Sequence, residues 1–173
     1  MCKGISILRS RIRQELFDQY ELAERIRTRD SHVQRDMFHE EPQLLPSFED
    51  ELHFMYSDRI PQLPVIDAGQ LVICEWGNRG RKTSRKLPPY GWCRLDSLEA
   101  GKWQGLRPEK VVIPAQYGLE NGVWFAIEQG VEGILVRDEH EQPHVYMMTD
   151  DSTVYFQNMT RHDRMPVLIG QEI

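Results

Sequence analysis

The sequence predicts an α+β fold in which a curved, largely antiparallel sheet forms a barrel-like core with flanking helices. Three observations predict it. From Leu63 onward the chain breaks into short β-rich runs separated by turn residues. The last three of these runs recur about every ten residues, the rhythm of an antiparallel meander rather than of βαβ units. Ahead of them, Ser10 to about Glu40 carries apolar side chains three to four positions apart, the spacing of an amphipathic helix. The 173 residues, 40% of them hydrophobic and 28% charged, suffice for one domain, 1–173, with a substantial core.

Taken in order, Ile5-Ser-Ile-Leu8 runs straight into Arg9, Arg11 and Arg13, so no apolar leader is expected. No run approaches the ~20 apolar residues that span a bilayer, and no membrane partner is expected. Ile12, Leu16, Tyr20, Ala23 and Ile26 mark the buried stripe of a helical segment at about 10–41, which Pro42 and Pro46 interrupt. Leu71–Trp76, Lys110–Ile113, Val123–Ile127, Gly133–Val136 and His144–Met148 read as strands. Asn78 to Pro89 reads as an exposed loop across one face of the sheet.

The net charge of −6 averages over strong patches. Arg79, Arg81, Lys82, Arg85 and Lys86 fall in a stretch without an acidic residue, and Lys3, Arg9, Arg11 and Arg13 form a second basic group. Acid collects at Glu49-Asp50-Glu51 and at Asp138-Glu139-His140-Glu141. A basic patch can bind phosphate while the rest of the molecule repels it, although short basic loops are more often simply solvated. The three cysteines, Cys2, Cys74 and Cys93, make neither a disulfide framework nor a CxxC pair, and suit a reducing cytosol. His32, His39 and His53 have no ligand-like spacing with them, so no metal and no cofactor are expected.

Cys2 follows the initiator methionine. A residue this small lets aminopeptidase remove Met1, leaving a 1,2-aminothiol. Its α-amine (about 7.7–8.0) and its thiol (about 8.5) are both partly available near neutral pH. Such a pair condenses with an aldehyde to an imine and closes to a thiazolidine, which an internal cysteine cannot do. On Cys2 alone, the plainer reading is the second residue of an N-terminal strand.

Several phrases gain meaning from their order: Met1-Cys2, Pro61-Gln-Leu-Pro-Val65, Trp76-Gly77, Arg94 within Trp92-Cys-Arg-Leu-Asp96, Val112-Ile-Pro-Ala115, Glu120 six residues beyond Pro114, and His162-Asp-Arg-Met-Pro166. This order resembles the SRAP (SOS response-associated peptidase) family of abasic-site processing proteins, which crosslink themselves to damaged single-stranded DNA. The resemblance covers roughly Cys2 to Val167, interrupted by the helical stretch.

The resemblance implies a monomer that binds single-stranded DNA containing abasic sites. In it Cys2 is the nucleophile, Glu120 a proton shuttle for loss of water from the carbinolamine, and His162 a second acid/base group. It places Arg94 and Arg164 on backbone phosphates. It also puts Trp76 where the family offers an aromatic face to the DNA, although a core tryptophan ending a strand explains Trp76 equally well. Lys3 substitutes for an arginine of the family, while Arg79, Arg81 and Lys82 would guide the strand electrostatically.

Three departures stand out. The family's Met-Cys-Gly-Arg opening reads Met1-Cys2-Lys3-Gly4 here, and Trp92 replaces the asparagine that steadies the crosslink. Trp92 cannot accept a hydrogen bond and donates only through its indole N–H. The chain also stops at Ile173, short of the family's C-terminal helical section. A compact, cytoplasmic member of bacterial or phage origin fits this pattern. Two other classes remain open: a DNA-binding module without the crosslinking chemistry, and a cysteine-dependent (auto)peptidase built on a Cys/His pair.

Overall fold

β-Branched and aromatic residues concentrated after residue 50 make the strands, and Gly, Asn and Pro set the turns between them. The computed structural model describes residues 1–27, 50–79, 84, 86–171 and 173. In chain order these residues form β1 (Gly4–Leu8), α1 (Gln14–Gln19), β2 (Ile26–Arg27), β3 (Glu51–Met55), β4 (Gln62–Asp67), β5 (Gln70–Trp76) and β6 (Trp92–Arg94). Then come α2 (Leu95–Glu99), β7 (Glu109–Ile113), β8 (Tyr117–Glu120), β9 (Val123–Ala126), β10 (Val131–Arg137), β11 (Pro143–Asp151), α3 (Val154–Thr160) and β12 (Arg164–Pro166).

The strands make two sheets. One has the order β2-β3-β1-β8-β9, with antiparallel pairing throughout. In the other, β10-β7-β4-β5-β11 closes into a ring because β10 also pairs with β11. This ring is the expected barrel-like core, with β6 and β12 attached to β11 outside it. Two contacts depart from antiparallel pairing: β11 runs parallel to β5 and to β6.

Alternation along the strands decides what is buried where. Ile5 and Ile7 of β1 and Leu52 and Phe54 of β3 point to one side. There they join Leu63 and Val65 of β4, Ile113 of β7, and Val145 and Met147 of β11 in one apolar cluster. The other face of β10 and β11 supplies Ile134, Val136, Tyr146 and Met148 to a second cluster, closed by Leu87, Cys93 and Trp103.

Five expected strands appear as β5, β7, β9, β10 and β11. The meander does not: β10 and β11 pair, but β9 belongs to the other sheet, where it pairs with β8. Gly130, at φ 120 between β9 and β10, lets the chain cross from one sheet to the other. The helical segment is also shorter than expected. Only Gln14–Gln19 is α-helical, because Glu21 adopts a left-handed conformation (φ 50) and the chain then forms a 3-10 turn and β2. The apolar stripe still does part of its work, since Ile12 is buried and Leu16, Phe17 and Tyr20 pack on the core, whereas Ala23 and Ile26 are exposed. The rest of the expected segment, 28–41, lies outside the described residues. Among the described residues, no helix is long and apolar enough to cross a membrane.

Candidate functional site

β1 lies between β3 and β8, and the ladder on each side continues one residue ahead of it. Lys3 donates its backbone N–H to Leu119 O (2.8 Å), and its own carbonyl accepts from Tyr56 N–H (2.9 Å). The first residues of the chain are therefore fixed by two neighbours rather than trailing from the fold.

β8 brings Glu120 to the same place. It ends in a two-residue turn, Asn121-Gly122, with φ 48 and φ 82, before β9 returns. Asn-Gly is the pair this left-handed hairpin turn favours. Glu120, the last residue before the turn, is fully buried. One carboxylate oxygen lies 2.7 Å from the Met1 α-ammonium, and the other lies 3.9 Å from Lys3 Nζ. Burial lowers the α-amine below its ordinary value of 8.0, with the Glu120 carboxylate pulling the other way.

Lys3 Nζ also donates to Asn121 Oδ1 (2.8 Å), and Asn121 Nδ2 donates to Thr160 O (2.9 Å). The hairpin is thereby tied to the end of α3. Arg161 leaves that helix in a left-handed conformation (φ 58), and His162 follows. His162 Nδ1 accepts the Arg164 backbone N–H (3.0 Å) and lies 3.2 Å from Asp163 Oδ1. Its link to Glu120 runs through Thr160 and Asn121, not through a hydrogen bond to the carboxylate.

Cys2 is fully buried, and its Sγ donates to Gly4 O (3.0 Å). Burial pushes its thiol up to about 12. In this Met1-bearing chain the sulfur is therefore held inward and protonated, while the terminal amine faces the carboxylate. Trp92 fixes the other side of the residue, donating its indole N–H to Cys2 O (3.0 Å). The one hydrogen-bond donor of the Trp92 side chain is thus spent on Cys2. Tyr56 packs on Trp92 at a centroid distance of 4.4 Å.

Trp76 requires a correction. It is fully buried, with its indole N–H on Gly91 O (2.8 Å) and its ring against Tyr56 and Trp92, so it is a core tryptophan and not a face offered to DNA. Close packing fixes this arrangement: a Cβ on Gly91 would come within 2.6 Å of both the Trp76 and Tyr56 rings. Arg79 is corrected too. Its guanidinium donates to the carbonyls of Tyr56 (2.5 Å) and Asp58 (2.7 Å), so it holds the β3–β4 loop rather than standing free for a phosphate. Arg81 and Lys82 lie outside the described residues.

Arg94 and Arg164 sit on opposite sides of β11, opposite Thr149 and Asp151 respectively. Each already has a carboxylate. Arg94 makes a bidentate pair with Asp96 (3.0 and 2.7 Å), exposed on both sides. Arg164 pairs with Asp151 and donates to Thr149 O (2.8 Å). A phosphate arriving here would exchange for these carboxylates.

Asn121 and Tyr56 belong to the site but are not singled out for it by the sequence, and Trp92, noted there as a departure, is not expected to bond Cys2. The Asn-Gly pair signals the hairpin that places Glu120, whereas no sequence signal marks a contact spanning ninety residues, as that from Trp92 to Cys2 does. Among the described residues, no group of three or more His, Cys, Asp or Glu side chains is placed to hold a metal ion. The arrangement sets a buried carboxylate between two cations, the half-buried Met1 α-ammonium and the Lys3 ammonium, a setting in which a carboxylate can pass protons. Comparison with family models, curated proteins and solved structures found no match to this chain.

Proposed function

We propose that this chain processes abasic sites in single-stranded DNA by crosslinking itself to them through Cys2. The observation that carries the reading is the buried Glu120 carboxylate at 2.7 Å from the α-ammonium of the chain. Removal of Met1 takes away the nitrogen at 2.7 Å and leaves the Cys2 nitrogen, one residue further along, as the new α-amine near Glu120. The amine attacks the C1′ aldehyde of the ring-opened sugar and forms a carbinolamine. Glu120 relays the amine proton to the departing hydroxyl, and one water leaves as the imine forms. The Cys2 sulfur then turns from the Gly4 carbonyl and adds to the imine carbon, its proton passing to nitrogen, which closes the thiazolidine.

His162 takes the role the SRAP resemblance implies, assisting ring opening and reversal of the imine. Arg94 and Arg164 take the phosphates, in exchange for Asp96 and Asp151. A second reading draws on the burial of the Cys2 thiol and the Trp92 replacement: a module that binds the strand without closing the ring.

A denaturing gel separates these readings. The Met1-processed protein, mixed with an abasic single-stranded oligonucleotide, should give a band of retarded mobility that undamaged oligonucleotide does not give. Cys2→Ala should lose the durable band. Binding in solution without such a band would favour the module. Peptide cleavage without binding would favour a peptidase.

A further inference from the structure

Of the second basic group of the sequence, Lys3 belongs to the site at Cys2, while Arg9, Arg11 and Arg13 do not. Arg9 is occupied: it donates to Ile12 O (2.7 Å) and to Gln14, and its guanidinium lies 3.9 Å over the Phe17 ring. Arg11 and Arg13 differ. Both are exposed, and neither pairs with a carboxylate among the described residues. They line a cleft of about 420 Å³ between the turn that follows β1 and the β4–β5 hairpin. Its other walls include Ile66, Leu71 and Pro114, with Gln70 at the rim, and no acidic side chain lines it among the described residues.

We propose that this cleft binds one nucleotide unit of a single strand, with its phosphate on Arg11 and Arg13 and its base against Ile66, Leu71 and Pro114. Charge complementarity argues for the phosphate. Two guanidiniums without a carboxylate partner among the described residues stand beside the cleft of a protein whose net charge is −6, so an anion is drawn to this spot against the field of the whole molecule. The apolar wall argues for the base. A base presents its face for such packing only when it is not stacked in a duplex, which selects a single strand. Gln70 can accept from or donate to a base edge.

The cleft is separate from the crosslinking site. Cys2 precedes β1 and Arg11 follows it, so the whole of the five-residue strand, about 17 Å long at ~3.3 Å per residue, runs between them. The inference deepens the reading of the chain as a single-strand binder by giving it a second contact.

The test uses the full chain and a labelled, undamaged single-stranded oligonucleotide, with affinity followed by fluorescence anisotropy across a salt series. In the Arg11→Gln/Arg13→Gln double variant, affinity should fall about tenfold. The slope of log K against log salt should become shallower by about 0.7, the loss of one single-strand phosphate contact. Arg11→Lys/Arg13→Lys should keep most of the slope. An unchanged slope in the Gln variant would overturn the proposal, as would an equal loss in the Lys variant. Protection of Arg11 and Arg13 by inorganic phosphate, with strand binding unaffected in the Gln variant, would overturn it too. Adduct formation on abasic strands is scored in the same proteins. Adducts without a slope change remove only the cleft, and a slope change without adducts removes only the crosslinking reading.

Discussion

Both carboxylate oxygens of Glu120 lie out of solvent, with the α-ammonium of the chain 2.7 Å from one and the Lys3 ammonium 3.9 Å from the other. A buried carboxylate without such partners would be costly, so their presence keeps an acid/base group in a dry place next to an amine. Glu120→Gln keeps the shape and removes the proton relay. Adduct formation should slow about 100-fold while affinity for an undamaged strand stays the same, and an equal loss in both measurements would make the residue structural. Trp92 acts on the same centre from the opposite side. Trp92→Phe keeps a ring against Tyr56 but leaves the Cys2 carbonyl without its donor, and should cost about 1 kcal/mol in a denaturant titration. An unchanged midpoint would show that water replaces the indole at no cost. At this scale, sequence order sufficed to group Cys2 with Glu120. It could not decide Trp76, because a core tryptophan and a stacking platform ask for the same residue type, and only burial separates them.

The element that matters most is the β8–β9 hairpin, because its two-residue turn sets where Glu120 stands and hands Asn121 to both Lys3 and the end of α3. No atom lies within 4 Å of the position a Cβ would take on Gly122, yet its φ is 82. Gly122→Ala should therefore destabilise through conformation alone, by about 1–2 kcal/mol, and should slow adduct formation as Glu120 shifts. Chemical denaturation read beside adduct rate checks this, and a full-rate, full-stability variant would mean the turn relaxes freely. The strands were legible where β-branched runs are long, as in β5, β10 and β11. Shorter elements were not. α3 depends on a Thr153 side chain that caps Phe156 N–H, and β12 has only three residues held by pairing with β11. Within the helical segment expected at about 10–41, the described part is only partly helical for a related reason: a three-to-four apolar spacing is also met by a short helix and a 3-10 turn packing on the same core.

Over the whole molecule, a closed barrel and a second sheet share one apolar cluster, and the cysteines fall within the two clusters. Burial pushes the thiols of Cys2, Cys74 and Cys93 up to about 12, from an ordinary 9.0. A folded value above the unfolded one means that the native state holds the thiol proton more tightly. This contribution is complete below pH 9 and is lost as pH rises from 9 toward 12. Denaturant midpoints should therefore fall steadily once the pH passes 9, and a flat profile would show that these thiols ionise as freely in the fold as outside it. On the proposed reading the amine adds first and the buried Cys2 thiol, held on the Gly4 carbonyl, closes the ring second. Intact mass spectrometry of the Met1-processed protein after mixing with an abasic single-stranded oligonucleotide tests the proposed crosslink most directly. The account predicts one species at the summed mass of protein and oligonucleotide less one water, mapping to the N-terminal peptide and durable only with Cys2 present. A Met1-processed protein that binds the strand yet shows only the two separate masses, or an adduct equally durable in Cys2→Ala, would contradict it.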